Sequence, residues 1–104
     1  MQNLNSYIQI GDTDYTIEAG QTTVGVSTLT ATRTLTLPAA SSAKKGDIYT
    51  IVDESGDARG NKKIDIAPAG SDTINKGGST GITRAFGSIA LYSDGLSGWF
   101  ITRI

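Results

Sequence analysis

Two apolar runs, Ile82–Tyr92 and Trp99–Ile104, flank the stretch DGLSG at Asp94–Gly98, and no other pattern restricts the fold of this chain as much. A five-residue loop rich in Gly and Asp between such runs is a β-hairpin signal. If Ser93 faces Trp99, antiparallel pairing sets Leu91 opposite Ile101 and Tyr92 opposite Phe100, and directly opposed residues share a face. One face then carries Ile89, Leu91, Trp99 and Ile101, and the other carries Ala90, Tyr92, Phe100 and Ile104. Both are apolar, whereas a small domain has one core. Either the hairpin lies between two layers of its own chain, or another copy covers its second face; Tyr92, Phe100 and Ile104 are the candidate contact residues. At about 25 cal/mol per Å² of apolar surface, covering that face stabilises by an order of several kcal/mol.

The remainder reads as short strands between turns. In Thr28–Leu37, TLTATRTLTL, every even position is threonine, so an extended backbone gives one threonine face and one mostly apolar face. Arg33 interrupts the apolar row, which implies a bend near Thr32 or a guanidinium that reaches solvent or a carboxylate while its stem packs. Asp14–Ala19 and Lys62–Pro68 also alternate with period two. Asp47–Asp53 is apolar on both faces and reads as a strand covered on both sides. Thr73–Asn75 is a further short strand, and Ala39–Lys45 is the only segment suited to a helical turn. With 104 residues, thirteen glycines and fourteen threonines, the expectation is a single all-β domain, a small antiparallel β-sandwich or barrel with a C-terminal hairpin. Residues 1–20 read as an N-terminal arm or short strands, a possible attachment segment, and 21–104 as the β domain. No exact repeat is present, which argues against a solenoid.

Chemistry is restricted by what is missing. The chain has no cysteine and no histidine, which removes disulfides, thiolate chemistry, the usual neutral-pH base and the commonest metal ligand. A net charge of -1 supplies no field for nucleic acid or an anionic membrane, and no apolar window approaches the length of a membrane span. Ser41 and Lys44 have S-x-x-K spacing without the companion motifs of a Ser–Lys enzyme. Asp12 with Asp14, and Asp53 with Glu54 and Asp57, fall in turns, where Asp serves nearby backbone amides. NKGGSTG at Asn75–Gly81 lacks the phosphate-loop pattern. The expectation is a non-enzyme without cofactor or metal.

Particular residues also carry a likeness. TLTLP at Thr34–Pro38, the small-residue spacer Ala39–Ala43, GDIYTIVD at Gly46–Asp53, DTIN at Asp72–Asn75, and GSIALYSDG followed by WFI resemble β-structured modules of tailed-bacteriophage virion proteins. The likeness covers roughly residues 28–102 and contains no catalytic signature. It implies a structural or adhesive protein, commonly trimeric, made in the host bacterial cytoplasm and exposed on the virion in contact with capsid or tail proteins. Met1 and the short length favour a stand-alone capsid decoration or head-fibre protein, its N-terminal arm gripping the shell. The alternative is a tail-fibre or tail-spike module that binds a host surface glycan, with Tyr49, Tyr92 or Trp99 presenting a flat ring.

Overall fold

Alternating side chains sort the chain into β1 (Tyr7–Ile10), β2 (Tyr15–Thr16), β3 (Thr23–Val26), β4 (Arg33–Thr36), β5 (Ile48–Asp53), β6 (Ile64–Ala67), β7 (Thr73–Ile74), β8 (Thr80–Ile82), β9 (Ser88–Ser93) and β10 (Gly98–Arg103). This computed structural model describes residues 6–104, so positions 1–5 of the expected N-terminal arm lie outside the described residues. The only helical element among the described residues is a 3-10 turn, Ala40–Ser42, inside the segment singled out for one.

The protein is all-β, but its two sheets are mixed rather than antiparallel. The six-stranded sheet has the order β1-β3-β5-β9-β10-β7 and the four-stranded sheet the order β2-β4-β6-β8. Strands β1, β3 and β5 run parallel, as do β2, β4 and β6, and as do β7 and β10. The antiparallel pairs are β5 with β9, β9 with β10, and β6 with β8. The reason lies in the route of the chain. From β1 to β6 successive strands alternate between the sheets, so each visit to the other sheet acts as the crossover that parallel pairing requires. Tyr7 pairs with Thr23, 16 positions on, and Thr23 with Thr50, 27 on. In the other sheet Tyr15 pairs with Leu35, 20 on, and Arg33 with Ile64, 31 on. These unequal steps give the winding no fixed period.

One apolar cluster draws on both sheets: Val24, Tyr49, Ile51, Ile89, Leu91 and Trp99 from the larger, Leu35, Ile64, Ile66 and Ile82 from the smaller. Tyr49 and Trp99 meet edge to face at its centre, with ring centroids 5.1 Å apart at 82°. The hairpin has the predicted register, Ser93 opposite Trp99, Tyr92 opposite Phe100 and Leu91 opposite Ile101.

Four expected strands differ. Of Asp14–Ala19 only Tyr15–Thr16 is a strand. Only Arg33–Thr36 of Thr28–Leu37 is extended; the chain bends at Thr30 and Ala31, and Arg33 Nε lies 2.9 Å from Asp12 Oδ1. Ile82–Tyr92 is divided between β8 and β9, in different sheets, by a turn in which Phe86 has φ 58°. Within β5, Tyr49, Ile51 and Asp53 point into the core while Ile48 is 55% exposed, so this strand is covered on one side only.

Candidate functional site

The outer face of the six-stranded sheet carries the sequence-predicted contact residues. Register places Ile48 opposite Tyr92 and Tyr92 opposite Phe100, so the three form a row across β5, β9 and β10. The Tyr92 and Phe100 rings are 5.7 Å apart and tilted by 34°. Tyr92 remains 38% exposed, Phe100 is half-buried, and Val52 and Ala90 share this side of the sheet. Ile104 is not in the row. A bulge after Ile101 brings Arg103 opposite Ala90, and Ile104 instead lines a small cleft of about 110 Å³ with Gly81, Ile82, Thr83, Gly87 and Ile89.

Of the three rings considered for a glycan, only Tyr92 reaches the surface. Tyr49 and Trp99 are 1% and 0% exposed, because their strand positions point them between the sheets. The Tyr49 hydroxyl accepts the Gly20 N–H at 2.9 Å, which is a structural use of its polar end. The sequence reading missed Phe86, 70% exposed in the turn that divides β8 from β9. Gly87, between Phe86 and Ser88, was the available signal for that turn.

The carboxylates hold backbone. Asp12 accepts from Thr30 N at 3.0 Å, from the Thr30 hydroxyl and from Arg33, and these bonds hold it well below the ordinary carboxylate range. Asp14 accepts Thr34 N and Asp72 accepts Ala40 N. Asp94 closes the hairpin loop by accepting Leu96, Ser97 and Gly98 N–H groups, which lower its pKa. Asp53, fully buried, accepts Ser55 N, Ala58 N, Phe86 N and the Ser55 hydroxyl. Burial pushes its pKa up, but those four donors outweigh it and the net direction is down. Glu54 lies across Gly25 on the outer face, where a Cβ would collide with its carboxylate, and accepts from the Tyr7 hydroxyl and Gln9 Nε2. Among the described residues no group of three or more potential metal-ligating side chains converges. Ser41 and Lys44, the S-x-x-K pair, are both exposed, Ser41 within the 3-10 turn and Lys44 just after it. No helix of the described residues is long and apolar enough to cross a membrane.

No family model, no curated protein and no solved structure matches the chain. Its chemistry is therefore read from the geometry: an apolar row on one sheet face, loops tied down by aspartates, and an exposed aromatic on a strained turn.

Proposed function

We propose that this chain is a non-enzymatic structural module of a bacteriophage virion, a capsid decoration or head-fibre protein that assembles as a homotrimer through the outer face of its six-stranded sheet. The row Ile48, Tyr92, Phe100 carries this reading. Three large apolar side chains adjacent across the middle of a sheet, rather than scattered singly, are the pattern of a partner-covered face. Full burial of an exposed side chain of this kind stabilises by about 1.5–3 kcal/mol, and covering the part of each that the monomer leaves in water contributes a fraction of that. The acids support a structural role: Asp12, Asp14, Asp53, Asp72 and Asp94 are each committed to backbone N–H groups of their own chain. Each bound copy would tie neighbouring shell subunits, so particle stability rises as sites fill.

Native mass measurement tests the assembly step. A trimer that falls to monomer in Tyr92→Lys, with the monomer's far-ultraviolet spectrum unchanged, supports the reading. A wild-type monomer at all concentrations overturns it. Co-sedimentation with bare phage shells, and the heat resistance of the loaded particles, then tests decoration against the alternative of a tail-fibre or tail-spike glycan-binding module.

A further inference from the structure

The loop between β9 and β10 holds the one Asp–Gly dipeptide of this sequence, Asp94–Gly95. Both members are imposed by the fold. Asp94 Oδ1 closes the loop by accepting the Leu96, Ser97 and Gly98 N–H groups at 2.8, 3.0 and 3.0 Å. Gly95 has φ 80°, and a Cβ there would lie 3.1 Å from Lys45 Cβ, so another residue fits only with strain. In an open chain this pair rearranges without an enzyme, because glycine leaves its own nitrogen unhindered. That nitrogen attacks Asp94 Cγ, a C–N bond forms, the carboxyl OH leaves with the amide hydrogen as water, and a five-membered succinimide results. Water then opens the ring at either carbonyl and returns aspartate or isoaspartate, whose main chain is one atom longer.

We propose that Asp94–Gly95 is a latent isomerisation site kept closed by the buried hydroxyl of Ser93 and by the seat that Gly98 gives the Asp94 carboxylate. Ser93 is 0% exposed; its Oγ accepts the Gly95 N–H at 2.9 Å and donates to Ala40 O, in the 3-10 turn, at 2.8 Å. The attacking nitrogen is thus tied to a group anchored on a separate segment, and turning it toward Cγ breaks a buried hydrogen bond. The carboxyl group is held as well. Three N–H groups fix Oδ1, and Oδ2 lies where a Cβ on residue 98 would come within 3.0 Å of it. The same donors, Leu96 foremost, hold Asp94 below the ordinary carboxylate range, and a carboxylate lacks the OH that must leave. The protection matters because Ser93 pairs with the buried Trp99 and Tyr92 with Phe100. An extra main-chain atom in so short a loop would disturb that register. The site does not depend on the assembly reading.

The intact chain is incubated in mildly acidic ¹⁸O-labelled water and then digested with trypsin in unlabelled water. In the peptide 85–103 Asp94 is the sole acidic residue, so each succinimide opening is read by mass spectrometry as one incorporated ¹⁸O, and electron-transfer fragmentation separates isoaspartate from aspartate. The folded wild type is expected to label at least about tenfold more slowly than the same chain unfolded in urea. Ser93→Ala, with its far-ultraviolet spectrum unchanged, is expected to label at least about tenfold faster than the folded wild type. Gly98→Ala moves the carboxylate without touching Ser93 and is expected to label faster too. A folded Ser93→Ala that labels at the wild-type rate overturns the proposal, as does a folded wild type that labels as fast as the unfolded chain. An increase no larger than the rise in unfolded fraction, measured by urea unfolding of the same variant, also overturns it, since the fold as a whole would then be the only protection. If Ser93→Ala fails to fold, Gly98→Ala decides, and a wild-type rate in it overturns the proposal.

Discussion

The buried carboxylate of Asp53 accepts the backbone N–H of Phe86, 33 residues further along the chain, at 3.1 Å. The same side chain holds Ser55 and Ala58, so one group fixes both the loop after β5 and the turn before β9. Asp53→Asn keeps the size but replaces one acceptor oxygen with an NH₂ that faces N–H donors. The expected cost is about 2–3 kcal/mol, or a melting temperature lower by about 10–20 °C for a domain of this size. Thermal unfolding followed by circular dichroism measures it. A loss below half a degree would mean that the loops hold themselves.

Acid stability follows from the same bonds. Asp12, Asp53 and Asp94 all have folded pKa values below the ordinary carboxylate range. In the unfolded chain an aspartate titrates near ~3.9. Below that value the unfolded state takes up protons that the folded state refuses, so stability falls as pH falls. The contribution is fully present above the unfolded value and is gone once pH passes below the folded ones. The melting temperature is therefore expected to be level from about pH 7 to 5 and to drop below about pH 4. Asp53→Asn removes one of the titrating groups and should flatten that drop. A steeper acid limb in the variant would contradict the assignment.

What could be read in advance was local. The hairpin register followed from loop length and face sharing, and Tyr92 stands opposite Phe100 as those rules require. The guanidinium of Arg33 has both a bend before it and a carboxylate beside it, because a charge in an apolar row must find one or the other. The parallel winding was hidden, since the pairing steps lengthen with the segments 37–47 and 54–63 that connect the strands. The displacement of Ile104 depends on a single unpaired position, Thr102, and a one-residue bulge has no composition of its own. Phe86 escaped notice because a left-handed phenylalanine contradicts the local preference that makes sequence legible.

Gly25 and Glu54 make a second testable pair. The β3 position must be glycine for the Glu54 carboxylate to lie across the strand and reach Tyr7 and Gln9. Gly25→Ala pushes that flexible carboxylate aside, and the expected cost is about 1 kcal/mol, the value of the lost hydrogen bonds. The three atoms nearest to the added methyl all belong to the Glu54 carboxylate, so in a Glu54→Ala background the same substitution should cost much less. A double-mutant cycle by urea unfolding isolates the coupling. Equal costs in both backgrounds would show that the methyl disturbs the strand itself.

Trp99 fills the core with an imperfection. Its indole Nε1–H is buried and has no hydrogen-bond partner among the described residues, whereas the Tyr49 hydroxyl beside it is satisfied. A buried unsatisfied donor costs about 1–3 kcal/mol. Trp99→Phe removes that donor and also leaves a small void, two effects of opposite sign, so the net loss is expected to stay under about 2 kcal/mol. Trp99→Ala forfeits the packing against Tyr49 with no comparable relief and should cost about 3–5 kcal/mol. Tyr49→Phe, a smaller change in volume, strands the Gly20 N–H and should cost about 1 kcal/mol, similar to the larger Trp99→Phe change. Urea midpoints for the three variants decide it. If Trp99→Phe proved as damaging as Trp99→Ala, the indole N–H would have to be bonded to water within the core, and the ring would be retained for its polar edge rather than its volume.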